Sequence, residues 1–114
     1  MRAAHEAGLL FIPGAGTASE IYRAHQLGAQ VVKVFPIGSL GGPGFIKAVR
    51  GPLPSIPLLP TNGVTLETVP DFFEAGVWAV GAGAQVICPE AMAQGNWHEI
   101  TSLAEAFLAA IPQT

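Results

Sequence analysis

The sequence is poor in charge and cysteine, and it has no long apolar run. Its 114 residues carry 5 basic and 8 acidic side chains, a formal net charge of -3, with no basic cluster. This argues against nucleic-acid binding, which requires a basic patch. Cys88 is the single cysteine, so neither an intramolecular disulfide nor a paired-cysteine metal site can form within the chain. No apolar run approaches the roughly 20 residues of a membrane span, and the amino terminus lacks a signal-peptide core. We therefore expect a soluble, cytoplasmic protein without nucleic-acid or membrane partners.

Half of the residues are apolar, which suits one globular domain over residues 1–114. Four continuously apolar runs stand out, at Leu9–Pro13, Val31–Pro36, Ile56–Pro60 and Val77–Val80. Runs without polar alternation are typical of strands covered on both faces, as in parallel sheets. Their starts are 21 to 25 residues apart, which fits one strand plus one crossover helix per unit.

Glycine and capping residues mark the helix ends between these runs. A left-handed helix end is predicted at four glycines: Gly8, Gly28, Gly51 and Gly76. Helix starts are predicted at Thr17, Thr65 and Asn96, each followed by a carboxylate in the first turn. The helix near Gly44 to Val49 has the weakest marks.

This organisation predicts an α/β fold of four parallel βα units with right-handed crossovers. An eight-stranded (β/α)8 TIM barrel needs about 200 to 250 residues, so four units make half of one. Half a barrel has two unpaired strand edges, which favour association. The chain is then a self-associating half, a small open sheet or part of something longer.

Lys33, one of two lysines, lies inside the second apolar run. Burying an ammonium among Val and Phe would lower its pKa, the usual route to a nucleophilic, Schiff-base-forming lysine. The alternatives are an edge-strand lysine pointing to solvent or one paired with a carboxylate. The acidic residues all fall in predicted helices or loops, so no strand supplies a proton shuttle beside this lysine. His5, His25 and His98 have no metal-ligand spacing.

Each run ends in a loop of small residues that faces the ligand-binding side of a parallel sheet. Backbone amides exposed by glycine suit a phosphate, although glycine also serves simply to make short turns. Gly14-Ala15-Gly16 and Gly81-Ala82-Gly83 give only the opening of a dinucleotide fingerprint, which does not support a dinucleotide cofactor.

Three motifs in order carry a family resemblance. They are Val32-Lys33-Val34-Phe35-Pro36 with Gly41-Gly42, Pro60-Thr61-Asn62-Gly63-Val64, and Val80-Gly81-Ala82-Gly83. The sequence resembles the 2-keto-3-deoxy-6-phosphogluconate (KDPG) and 4-hydroxy-2-oxoglutarate (KHG) aldolases, and it corresponds to the second half of their barrel.

The resemblance implies a class I aldolase that splits a 2-keto-4-hydroxy acid into pyruvate and an aldehyde, without metal or cofactor. Lys33 matches the Schiff-base lysine, Phe35 and Pro36 match residues lining the pyruvate pocket, and Thr61 matches a threonine that contacts substrate. Gly63, with Asn62 in place of a usual glycine, falls in the phosphate loop. Gly81 and Gly83 belong to the last strand-end loop, where Gly83 replaces a common serine.

The family's catalytic glutamate, a carboxylate-binding arginine and a second threonine lie on strands that this sequence does not contain. Three hypotheses follow. The chain is an aldolase half that needs its complement, a noncatalytic self-associating half-barrel that at most binds a phosphorylated ligand, or another phosphate-binding barrel enzyme. A homo-oligomer is expected, either a trimer like the family's or edge-paired half-barrels.

Overall fold

A computed structural model describes residues 1–113 as a parallel sheet with connecting helices. The strands are β1 (Gly14–Ala15), β2 (Val32–Val34) and β3 (Leu58–Pro60). Their order is β1-β2-β3, and Lys33 is paired with Gly14 on one side and Leu59 on the other. The predicted α/β class with parallel strands is confirmed, and β2 is the central strand of this sheet.

Seven helices lie within residues 1–113. They are α1 (Arg2–Glu6), α2 (Ala18–Gln26), α3 (Ile37–Leu40), α4 (Pro43–Arg50), α5 (Val69–Glu74), α6 (Pro89–Ala93) and α7 (Trp97–Ala109). Two of the predicted helix starts are confirmed. The Thr17 hydroxyl accepts the Glu20 N–H at 3.2 Å, and the Asn96 side chain accepts the Glu99 N–H at 3.3 Å. Both bonds satisfy amides that a helix start otherwise leaves free.

Two predictions at helix boundaries are wrong: the helix start at Thr65 and the left-handed conformation of Gly51. α5 begins at Val69 rather than directly after Thr65, because Thr65 donates its N–H to the Thr68 hydroxyl at 2.9 Å in a local turn. This side-chain bond competes with the helix for the backbone. Gly51 is right-handed, with φ -52°, whereas Gly8, Gly28 and Gly76 have the predicted positive φ.

The first predicted strand is misplaced. β1 starts at Gly14, and the Leu9–Pro13 run is linked to β2 through the Pro13 carbonyl, which accepts the Lys33 N–H at 2.8 Å. Leu9, Leu10 and Phe11 are 63%, 59% and 43% exposed, so the prediction that this run is buried is also wrong. The run lies at the β1 edge, and apolar residues alone cannot make a strand without a neighbour on that side.

The fourth predicted strand, Val77–Val80, follows β3 without forming a regular ladder. The Trp78 N–H donates to the Leu58 carbonyl at 3.0 Å, and a single parallel bridge joins Thr61 to Gly81. The return bond of a parallel ladder would come from the N–H of residue 60, and proline has none. Pro60 therefore interrupts the pairing, so that three rather than four strands form the sheet in the described residues.

The core lies between the sheet and the helices packed on it. Val32 and Val34 of β2, Leu58 of β3, and Ile21 and Phe72 of the helices are fully buried. Within residues 1–113, no polar or charged residue reaches full burial. The buried β2 and β3 runs confirm the predicted strands there, and they fix the positions of the loops that follow each strand.

Candidate functional site

A cleft of about 540 Å³ opens where β2, β3 and the Gly81 segment end. This is the carboxyl side of the parallel strands, where ligands bind in α/β proteins. The lining residues are Lys33, Phe35, Thr61, Asn62, Gly63, Val64, Gly81, Ala82, Gly83, Ala84 and Gln85. The fold thus brings together the sequence-predicted site residues except Pro36, which is half-buried outside the lining.

Lys33 projects from the central strand and is half-buried, less than the fully buried lysine that the apolar run suggests. Its Nζ lies 4.9 Å from the ring centroid of Phe35, a cation–π contact, and the ring is 45% exposed. Neither alternative reading of Lys33 fits. β2 is not an edge strand, and the ion pair found within residues 1–113 joins Arg2 to Glu6 instead.

Thr61 is held rigidly at the end of β3. Its N–H donates to the Val34 carbonyl and its carbonyl accepts the Ile37 N–H, each at 3.0 Å. Its methyl group packs against Gly81, where any added Cβ would overlap it. The Thr61 hydroxyl is buried and has no hydrogen-bond partner among the described residues. An unpaired buried hydroxyl is energetically costly, so its burial here is a feature that the packing around Thr61 imposes.

The next two residues have left-handed backbone conformations, with φ 62° at Asn62 and 121° at Gly63. The Asn62 carbonyl accepts the Gly38 N–H at 2.9 Å. An alanine methyl at Gly63 would lie only 2.5 Å from the Gly38 Cα, so the two backbones are in direct contact. This packing requires glycine at 63, and asparagine tolerates the conformation at 62.

Four lining residues lie outside the predicted set: Val64, Ala82, Ala84 and Gln85. Val64 and Ala82 lie inside motifs that the sequence singles out, and Gln85 directly follows the last small-residue loop. The sequence could have indicated Gln85 as a cleft residue only by its position next to a strand-end loop. It does not show which way that loop turns. The Gly83 carbonyl accepts the N–H groups of Val86 and Ile87, both at 2.9 Å, which places Gln85 within the turn that they close.

No carboxylate lines the cleft, within the chain up to residue 113. The described strands carry none either, as the sequence predicts. Glu20 borders a separate depression of about 320 Å³, which shares Phe35 with the cleft. Its carboxylate accepts the Gly16 N–H at 2.9 Å and the Thr17 hydroxyl at 3.1 Å, and these bonds lower the pKa of Glu20. Glu20 therefore remains a charged cap of α2, which makes it a poor proton donor.

Among residues 1–113, no group of three or more His, Cys, Asp or Glu side chains is placed to hold a metal ion. In the same range no helix is long and apolar enough to cross a membrane.

The family profile described as KDPG and KHG aldolase matches residues 1–103. The chain belongs to the KDPG and KHG aldolase family. The 2-dehydro-3-deoxy-phosphogluconate aldolase of Pseudomonas aeruginosa is 33% identical over 109 residues, which cover 95% of this chain and 49% of that relative. The 2-dehydro-3-deoxy-6-phosphogalactonate aldolase of Escherichia coli is 39% identical over 80 residues, which cover 69% of this chain and 38% of that relative.

Solved structures of this aldolase family share the fold. A KDPG aldolase from Legionella pneumophila, solved with pyruvate captured as a covalent carbinolamine intermediate, superposes with a TM-score of 0.79 at 28% identity. The match covers 97% of this chain and 52% of that one. The chain thus spans about half the length of the relatives that it matches.

Proposed function

We propose that this chain is half of a class I aldolase that cleaves KDPG or 4-hydroxy-2-oxoglutarate to pyruvate and an aldehyde. Residues 1–114 would then be a partial domain of four parallel βα units, equivalent to half of a (β/α)8 barrel. The observation that carries the proposal is Lys33, which reaches from the central strand into a cleft that Phe35 and Thr61 also line. The Legionella relative, captured with a pyruvate carbinolamine, supports this chemistry.

In the proposed reaction the neutral amine of Lys33 attacks the C2 carbonyl of the keto acid. The resulting carbinolamine takes up a proton at its hydroxyl and loses water to give a protonated Schiff base. The C3–C4 bond then breaks, its electron pair moves to the iminium nitrogen, and the C4 hydroxyl loses its proton as the aldehyde leaves. Protonation of the enamine at C3 and hydrolysis release pyruvate and free the lysine.

The other cleft residues would bind the two parts of the substrate, the pyruvate part and the distal part. Phe35 would line the pyruvate pocket and Thr61 would contact the substrate, whereas Pro36 follows Phe35 in sequence and lies outside the cleft lining. The loops at Asn62, Gly63, Gly81 and Gly83 would enclose the distal part of the substrate. Because no carboxylate lines the cleft, the proton from the C4 hydroxyl needs a base from complementary βα units. Without such a base, the rate falls by a factor of about 10² to 10⁴.

Borohydride trapping tests the first covalent step. The purified chain is incubated with pyruvate and sodium borohydride, and the modified residue is located by peptide mass spectrometry. We expect one pyruvate adduct, on Lys33. The chain has a second lysine, Lys47 on α4, which is exposed and provides a matched control.

Lys33→Ala should abolish the adduct, and Lys47→Ala should leave it unchanged. Equal labelling of the two lysines, or no labelling of Lys33, would contradict the proposed function. Adding a chain that carries the other half of a relative's barrel should then raise the rate of pyruvate release.

A second candidate function is a noncatalytic half-barrel that associates with itself and at most binds a phosphorylated ligand. The exposed run Leu9, Leu10 and Phe11 favours it, because these side chains line an open depression of about 530 Å³ at the β1 edge. Trp78, 57% exposed, lies in the segment beyond β3 at the opposite side. Apolar residues grouped at an open edge are typical of an association surface.

Native mass spectrometry tests this second candidate. Self-association predicts a stable oligomer of the wild-type chain and a monomer for Leu10→Glu, which places a charge at the β1 edge. A wild-type monomer with a cooperative thermal transition would count against it.

A further inference from the structure

Residues 83–95 connect the last strand-end loop to α7 and include α6. Of these thirteen residues, two are half-buried, one is buried and the other ten are exposed. In the part of the chain that the structure describes, every hydrogen bond made by this segment ends inside residues 83–97. Val86 packs against the core and Ala91 is buried, so apolar packing rather than hydrogen bonding attaches the segment to the rest of the fold.

A glycine lies at each end of the 83–95 segment. An added Cβ at Gly83 or at Gly95 meets nothing within 4 Å, so no neighbouring group packs closely on the backbone at either position. Glycine also permits wide backbone rotation, and hinges are often built from small residues. Segments with few buried contacts and no hydrogen bonds to the core open locally at low free-energy cost. The 83–95 segment can therefore move as a unit about its two ends.

The beginning of this segment forms part of the cleft wall. Its residues in the lining are Gly83, Ala84 and Gln85. We propose that residues 83–95 form a lid that closes over the cleft when Lys33 carries a bound keto acid. The lid rests on the proposed function, because the adduct on Lys33 is the group that it covers.

Closure has two favourable consequences. Ile87 and Met92 of the segment are 53% and 47% exposed, and Phe35 of the cleft wall is 45% exposed, so movement of the segment towards the cleft removes apolar surface from water. A closed lid also keeps bulk water away from the Schiff base, which water hydrolyses. A ligand that contacts both the segment and the opposite wall binds the closed form more tightly and shifts the population towards it.

Hydrogen exchange of the full chain, followed by mass spectrometry of its peptides, tests the lid without using activity. In the free chain, amides of residues 84–94 should exchange by local opening, about tenfold or more faster than those of α4, and low urea should not change their rate. After pyruvate is trapped on Lys33 with borohydride, exchange in residues 84–94 should slow by about fivefold or more, and α4 should not change. Lys33→Ala treated in the same way cannot form the adduct, and it should exchange like the free chain.

Cys88 provides a second readout, because the single cysteine of the chain lies within the segment. A nitroxide attached to its thiol reports how freely the segment moves, and its electron paramagnetic resonance spectrum should broaden after trapping. The matched control carries Cys88→Ser and Ala48→Cys, which moves the label to an exposed position on α4. The spectrum of this control should stay the same.

Two results would overturn the lid. One is exchange of residues 84–94 in the free chain that is as slow as exchange in α4. The other is successful trapping on Lys33 with neither slower exchange in the segment nor a broader nitroxide spectrum. A chain that forms no adduct on Lys33 contradicts the proposed function and removes the event that closes the lid, whereas trapping without closure contradicts the lid alone.

Discussion

The two flanks of β2 differ in how tightly they are built. On the β3 flank, Gly63 touches the Gly38 backbone and Gly81 touches the Thr61 methyl, so that a single added carbon at either glycine meets another group. On the β1 flank, an added Cβ at Gly14 meets nothing within 4 Å, and the preceding apolar run is exposed. The β3 flank is thus held by close backbone packing, whereas the β1 flank is loosely packed.

The strongest test of this difference places the same methyl group on both flanks. Gly63→Ala should lower the free energy of unfolding by about 2 to 6 kcal/mol, because the positive φ and the overlap with Gly38 each cost about 1 to 3 kcal/mol. Gly14→Ala should change it by no more than about 0.5 kcal/mol. Urea denaturation followed by circular dichroism measures both. Similar losses in the two variants would show that the flanks do not differ in packing.

A second test compares leucines. Leu58→Ala on β3, at 0% exposure, should cost about 2 to 5 kcal/mol because it leaves a cavity in the core. Leu10→Ala, at 59% exposure, should cost no more than about 0.5 kcal/mol in a dilute monomer. The same denaturation measurement applies. A large loss at Leu10 that depends on protein concentration would indicate that another copy covers the β1 edge.

The smallest expected effect concerns the β1 loop and pH. Bonds from the Gly16 N–H and the Thr17 hydroxyl lower the pKa of Glu20 in the folded chain, so its contribution to stability is present above its unfolded pKa and is lost as the pH falls through the folded one. Glu20→Gln should therefore be less stable than the wild type at pH 7, and the difference should shrink towards pH 3. Urea midpoints across this range measure it, with Glu105→Gln on α7 as a control for the lost charge. A stability difference that stays constant at all pH values would show that the charge of the Glu20 carboxylate does not stabilise the fold.

Local sequence carried much of the fold and the site. The buried runs of β2 and β3, the caps at Thr17 and Asn96, and the position of Lys33 within β2 all follow from residue types over a few positions. The interrupted pairing at Val77–Val80 could not be predicted in this way, because it depends on which residue of β3 would have to donate the next N–H of the ladder. That residue is Pro60, which has no N–H.

The surroundings of individual cleft residues likewise depend on tertiary structure, which the local sequence does not reveal. The Thr61 hydroxyl is buried without a hydrogen-bond partner among the described residues, and Gln85 lines the cleft because the last loop turns towards β3. Burial of the Leu9–Pro13 run is predicted from its unbroken apolar pattern, and it fails at Leu9, Leu10 and Phe11 because an apolar run is covered only where the fold supplies a neighbour. The assignment of chemistry to individual cleft residues remains a prediction.

The two tryptophans offer an optical signal that follows from their exposure. Trp78 is 57% exposed in the segment beside β3, and Trp97 is 63% exposed at the start of α7. Both indoles contact water in the folded chain, so unfolding should shift the wavelength of their emission only slightly. A shift to shorter wavelength on adding a complementary half, or on raising the protein concentration, would instead report that the edge near Trp78 has been covered. Intrinsic fluorescence of this chain is therefore better suited to following assembly than to following denaturation.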